Sequence, residues 1–371
     1  MNTINKEKAK LLILLSLGVA AILFLNLYKF SLANQVGFSI SHEHIFINPK
    51  SEYATDLILT PDEITYATWL IFRADRANDI IENRNLFANT NLYGYLIGFS
   101  YLAADGNYKY LFLFGLAGYL LLFVSSYTLL KAIGFEHKTV LIGTGLFMLS
   151  PNVLMLGSGF LRDLFVIAFV NYCIIALIQR RYLLLIFSIL MLLFTRNFYL
   201  VILLPIFLYF LSRSRKGSLD IGLIFLIPMV VLIFITLYLA LLSRASGVSI
   251  FDLKFLLRFI ELQTGVNMVL IRIPYLFSGF YNLMLETISH FYYFVIMMMA
   301  LTIVVVTLRM KKFYVFLIAF NILLSFLYAS YLGFFMSRTK LIVLWFSIIF
   351  ILYHVNSYNM KRANKINLAN H

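Results

Sequence analysis

Apolar stretches recur along the whole chain, most of them about 16 to 25 residues long, and that length restricts the fold more than any other feature. A helix rises about 1.5 Å per residue, so such a stretch matches a hydrocarbon layer roughly 30 Å thick. Composition agrees: 62% of the 371 residues are hydrophobic, 12% are charged, and mean hydropathy is +0.91. A soluble core of this size does not need so much apolar sequence. A membrane β-barrel would alternate polarity over segments of about ten residues, and the run from Leu183 to Leu193 does not alternate. The expected fold is therefore an all-α polytopic membrane protein.

Length and polar interruptions place about ten transmembrane helices. The first, Leu11 to Phe30, follows Lys6, Lys8 and Lys10 and has Lys29 near its end. Its apolar core exceeds the roughly 7 to 15 residues of a signal peptide, so it reads as an uncleaved anchor, although Ser31-Leu32-Ala33 resembles a cleavage site. Nine further spans fall at about 110–130, 139–156, 164–179, 182–195, 197–212, 219–243, 283–308, 313–332 and 340–356. The pair 182–195 and 197–212, divided only by Arg196, also reads as one long broken helix, which would invert everything downstream.

Charge favours ten. In that arrangement the side of the amino terminus holds sixteen Lys and Arg, among them Lys131, Arg180, Arg181 and Lys361, against the three carboxylates Glu7, Glu136 and Asp220. The other side holds fourteen cations and thirteen carboxylates, so the positive-inside rule puts both termini in the cytoplasm. The net charge of +14 is thereby accounted for by insertion, and no nucleic-acid partner is expected. Cys173 is the single cysteine and lies in an apolar stretch, which leaves neither a disulfide framework nor a cysteine metal site.

Residues 1–371 read as one integral membrane domain with two outer loops. The first, 31–109, is the most polar part of the chain and carries nine of its sixteen carboxylates. It contains a helical stretch from Asp62 to Arg84 and a short apolar helix, Leu92 to Ala103, suited to lying on the bilayer. The second, 243–282, carries Arg258, Glu261 and Arg272. His42 and His44 are too few for a metal site, and no metal ligands are assigned.

The outer side collects Asp62, Glu63, Arg162, Asp163, Arg196, Arg258, Arg272 and Arg338 at or near helix ends. Charges at such depth are costly unless used or paired. Arginine holds phosphate oxygens bidentately, and a carboxylate takes a proton from an attacking hydroxyl, so the set suits chemistry on a phosphate-linked substrate. Structural alternatives stay open for each residue. Pro61-Asp62-Glu63 is also a good helix start, Asp163 also pairs with Arg162 or caps a helix, and Arg196 also serves as a snorkelling residue.

The order of motifs resembles the GT-C class of membrane glycosyltransferases over roughly residues 10 to 215. The quoted residues are Thr60-Pro61-Asp62-Glu63-Ile64-Thr65-Tyr66-Ala67, then Tyr93-Gly94-Tyr95-Leu96 with Ala104-Asp105-Gly106-Asn107. They continue with Leu149-Ser150-Pro151, Gly159-Phe160-Leu161-Arg162-Asp163 and Phe194-Thr195-Arg196-Asn197. The resemblance implies a GT-C-like fold and an inverting transfer from a polyprenyl-phosphate-linked sugar donor to a glycan or lipid-linked acceptor. The site would lie on the outer face of a bacterial inner membrane. It implies Asp62, assisted or replaced by Glu63, as catalytic base, with Arg162, Asp163, Arg196, Arg258 and Arg272 binding substrate. A divalent cation near Asp62 and Asp163 is the other way to neutralise the leaving group, and the cofactor requirement is left open. O-antigen polymerases are similar in length, composition and outer arginines, and a transporter of lipid-linked oligosaccharides is the rival outside enzymes. Transporters place ionisable groups midway along helices, where spans 110–130 and 219–243 have none.

Overall fold

In the computed structural model the described residues are 3–35, 59, 63, 66–67, 92–196, 288–289, 291–292, 295–296, 299–300, 303, 341–342 and 344–356. Among them every regular element is helical and there is no strand. Helix α1 spans Thr3–Gln35, longer than the apolar run because Lys6, Glu7, Lys8 and Lys10 are good helix formers and nothing breaks the pattern before them. Helix α2, Leu92–Ala103, stands where the sequence places its short apolar helix. It is stopped by Asp105 and Gly106, both with positive φ, and the Gly106 N–H donates back to the Tyr101 carbonyl at 3.0 Å. Asn107 then caps a 3-10 turn, Tyr108–Leu111, by accepting from the Lys109 N–H at 3.2 Å, and the turn runs into α3, Phe112–Ile133. Gly134, in the left-handed region at φ 91°, ends α3.

The expected span 139–156 is two helices, α4 (His137–Met148) and α5 (Pro151–Gly157), bent by 61°. The bend is chemical in origin. Proline disfavours helical backbone at Ser150, whose hydroxyl instead accepts from the Val153 N–H and starts a new helix with Pro151 in its first turn. Helix α6 (Asp163–Gln179) ends at Arg180 in the left-handed region, α7 covers Tyr182–Arg196, and α8 is Leu344–Asn356. Two helical stretches, Lys6–Gln35 and Tyr108–Ile133, are long and apolar enough to cross a membrane, and the bent α4–α5 pair makes a third if it is one span. The expected spans 197–212, 219–243 and 313–332 and the 243–282 loop lie outside the described residues.

Contacts along the helices fix their directions. Gly18 meets Tyr119, the Phe30 and Phe112 rings meet edge to face at 5.1 Å, and Lys109 Nζ donates to Asn34 Oδ1 at 3.0 Å, so α1 and α3 are antiparallel. Glu7 faces His137 at 3.7 Å and Ile22 packs on Gly157, so α4 and α5 run with α1. Gly118 meets Leu164 and Phe165, while Ser125 and Ser126 meet Asn171, so α6 runs with α3. Helix α7 returns beside it, with Phe187 edge-on to Phe169 at 6.4 Å. In α8, Trp345 stacks on Phe147 at 4.3 Å and Leu352 reaches Gly143 and Leu130, which makes α8 parallel to α3. The bundle therefore has a basic end, with the start of α1, Lys131, Arg180 and the close of α8. Its opposite end gathers Asn34, Lys109, Arg162 and Thr195.

Midway between them sits a neutral buried network. Asn171 Nδ2 donates to Ser125 Oγ at 3.2 Å and Ser126 Oγ at 3.3 Å, and its Oδ1 accepts from Trp345 Nε1 at 2.9 Å. One amide thus joins α3, α6 and α8, the kind of contact that adds about 0.6–2 kcal/mol between apolar helices.

Candidate functional site

The turn between α5 and α6 leaves helix-end carbonyls and N–H groups without intrahelical partners, and buried ones must find partners elsewhere. Side chains from three distant segments supply them. Near the end of α1, Lys29 Nζ donates to the Ser158 carbonyl at 2.8 Å. The Phe160 N–H donates to Glu63 Oε1 at 2.8 Å, and the Phe160 carbonyl accepts from Tyr93 Oη at 2.8 Å. Close approach is possible because the turn and its support are small. A Cβ on Gly159 would collide with the Glu63 carboxylate, and one on Gly115 of α3 would collide with the carbonyls of Gly157 and Gly159.

These charges are not surface charges. Glu63 is 1% exposed, Asp163 3% and Lys29 4%, and ions so buried are costly unless compensated by charge and hydrogen bonds together. The Lys29 ammonium, besides its bond to the Ser158 carbonyl, lies 5.5 Å from the Phe112 ring centroid. Asp163 stands in the first turn of α6, where the helix dipole favours an anion. Arg162 joins the two neighbouring helix ends: its Nη1 donates to the Thr195 carbonyl at 2.9 Å, and its guanidinium lies 5.8 Å over the Tyr66 ring. Tyr66 in turn meets Tyr93 edge to face at 5.7 Å. Burial first, then the neighbouring Tyr66, Asp163 and Glu63, push the Tyr93 phenol well above its usual range, with Arg162 acting the other way. Tyr93 is therefore a fixed hydrogen-bond donor at any ordinary pH.

Of the residues expected to form the site, Glu63, Arg162 and Asp163 come together around this turn. Arg196 ends α7, but its side chain lies outside the described residues, as do Asp62, Arg258, Arg272 and Arg338. Among the described residues no three His, Cys, Asp or Glu side chains group as a metal site. Four participants carry no role in the sequence reading. Tyr66, Tyr93 and Thr195 sit inside the quoted motifs, where nothing separates them from their neighbours. Lys29 had a signal: a cation near the end of an apolar span needs either a route to water or a buried partner.

What the arrangement can do follows from its donors and acceptors. The Glu63 carboxylate holds backbone in place, the arginine ties two helix ends beside an aromatic pair, and the whole lies at the bundle end opposite the basic one. No protein-family model, curated protein or solved structure matches the chain.

Proposed function

We propose that this chain is a membrane-embedded glycosyltransferase using a polyprenyl-phosphate-linked donor on the outer face of a bacterial inner membrane. One observation supports this reading above the others. Four of the motifs quoted for the GT-C resemblance, spread over more than a hundred residues, meet at one place: Glu63 on Phe160, Tyr93 on Phe160, and Arg162 on Thr195. Ionisable groups gathered at one end of the helices suit a reaction at the boundary between lipid and water better than a path through the bundle.

In the proposed reaction the acceptor hydroxyl attacks the anomeric carbon and loses its proton to Asp62. A new carbon–oxygen bond forms as the bond from the anomeric carbon to the phosphate oxygen breaks, and the phosphate leaves with that electron pair. Arg162, with Arg196, Arg258 and Arg272, supplies the fixed positive charge that stabilises the leaving group. The ten-span topology with both termini cytoplasmic belongs to the same proposal. The directions of α7 and α8 agree with that reading, since α7 runs away from the basic end and α8 returns to it.

The test compares polysaccharide assembled in cells carrying the intact protein, Asp62→Asn, Glu63→Gln or both changes, with membrane levels of each protein measured alongside. Loss of product from Asp62→Asn at normal protein level is the expected result. Single repeat units on the gel would point to a blocked polymerase, and absent or truncated units to a sugar transferase. Full product from the double variant would sink the transferase reading with this base.

A further inference from the structure

We infer that Lys29 and Glu63 form a clamp on the 158–162 turn, two positioning residues that set where Arg162 and Asp163 stand and take no proton in the reaction. The two come from segments far apart in the chain and hold successive parts of one backbone turn, Ser158 through its carbonyl and Phe160 through its N–H. Each is nearly inaccessible, at 4% and 1% exposed, so neither is a solvated surface charge that happens to lie near. The steric evidence is separate from the hydrogen bonds. Gly159 leaves the space that the Glu63 carboxylate fills, and Gly115 lets the turn sit directly on α3. Tyr93 holds the remaining edge at the Phe160 carbonyl, and Leu161, in the middle of the turn, is buried at 3%.

A buried ammonium needs acceptors, and a buried carboxylate needs donors. The turn supplies the Ser158 carbonyl to Lys29 and the Phe160 N–H to Glu63. Removing either group takes a fixed point from the turn. A general base must instead offer a lone pair to a substrate hydroxyl within hydrogen-bond reach and then release the proton. Glu63 is buried, and its Oε1 already accepts from the Phe160 N–H of the turn. The clamp stands on these contacts alone, and its service to a reaction rests on the transferase reading.

The single cysteine, Cys173, is buried in α6 and provides an internal control. Leu161→Cys places a reporter thiol in the turn of the full-length protein, and a maleimide reads its exposure in native membranes. Adding Glu63→Ala or Lys29→Met should speed labelling of the reporter at least about tenfold while Cys173 stays silent. Glu63→Gln keeps an oxygen that accepts the Phe160 N–H, so it should stay within about threefold of its parent and retain most of any transfer activity. Equal labelling in all variants would overturn the clamp. A protected reporter with transfer abolished in Glu63→Gln would overturn the positioning role and make Glu63 the base. Where a variant also exposes Cys173, the bundle has opened and Tyr93→Phe carries the comparison, with a rise of about threefold expected and no rise counting against the clamp. Absence of transfer in every variant and the intact protein would remove the transferase reading and leave the labelling result standing.

Discussion

The two buried polar regions of this bundle solve opposite problems. In the middle, Asn171, Ser125, Ser126 and Trp345 bond side chain to side chain between regular helices, and every member is neutral. At the end, Lys29, Glu63, Tyr93 and Arg162 bond side chain to backbone where helices stop, and three of the four are of charge-bearing types. The first region joins helices whose other buried contacts are mainly apolar, so they retain packing without it. The second satisfies backbone that has no partners of its own, so its removal leaves peptide groups exposed to an apolar surrounding. Polar side chains between helices therefore tune stability, whereas those around the turn decide whether a particular backbone conformation exists.

The largest effect expected to separate the two comes from Gly115, which lies against the backbone of the end region. Its Cα faces the carbonyls of Gly157 and Gly159, so Gly115→Ala pushes backbone against backbone with no flexible side chain to give way. The loss should be about 3 kcal/mol or more, seen as a collapse of the monodisperse peak in mild detergent and of the thermal midpoint. A near-normal midpoint would mean that the turn moves freely on α3, and the distinction drawn between the regions would fail.

A smaller effect is expected in the middle. Asn171→Leu leaves Trp345 Nε1 without its acceptor and removes the donor to both serines, at a cost of about 1–3 kcal/mol in thermal stability. The sharper test is combination with Tyr93→Phe. Asn171 and Tyr93 bond to different groups, Ser125, Ser126 and Trp345 on one side and the Phe160 carbonyl on the other, so the two losses should add within about 0.5 kcal/mol. A larger coupling would make them one network and would link the turn to the helix contacts below it.

How much of this was legible in the sequence follows the same division. Helix class, the long first helix and the short helix Leu92–Ala103 come from apolar length, a property summed over many residues that survives local detail. The break at Ser150-Pro151 carried its own local signal, an N-cap followed by proline, yet a reading by apolar length merges the two helices into one span. The site divides likewise. Glu63, Arg162 and Asp163 stand out because charge is rare in such a chain, but their partners are peptide groups of Ser158, Phe160 and Thr195, which no residue type announces. The same holds for Gly159 and Gly115: a glycine marks room for something close, and only the fold says what. Lys29 was readable in kind and not in partner, because the Ser158 carbonyl it meets belongs to a turn far along the chain.

The smallest expected effect concerns pH and tests whether the turn depends on a proton at Tyr93. Its phenol is pushed well above the usual range by burial and then by Tyr66, Asp163 and Glu63. The sign follows from which form the fold prefers. A raised value means that the folded protein holds the proton more tightly than the unfolded chain, so the stability linked to Tyr93 is whole below the ordinary phenol value of about 10 and drains as pH rises above it. Stability attributable to this group should therefore be flat from neutral pH to about 9 and fall beyond it. In Tyr93→Phe the hydroxyl is gone, the protein starts about 1 kcal/mol less stable, and that part of the alkaline decline should vanish. The measurement is the thermal midpoint of both proteins across the alkaline range, where the two curves are expected to converge. Parallel curves would show that the bond to Phe160 carries no titratable stability and that the turn is held chiefly by its charged contacts.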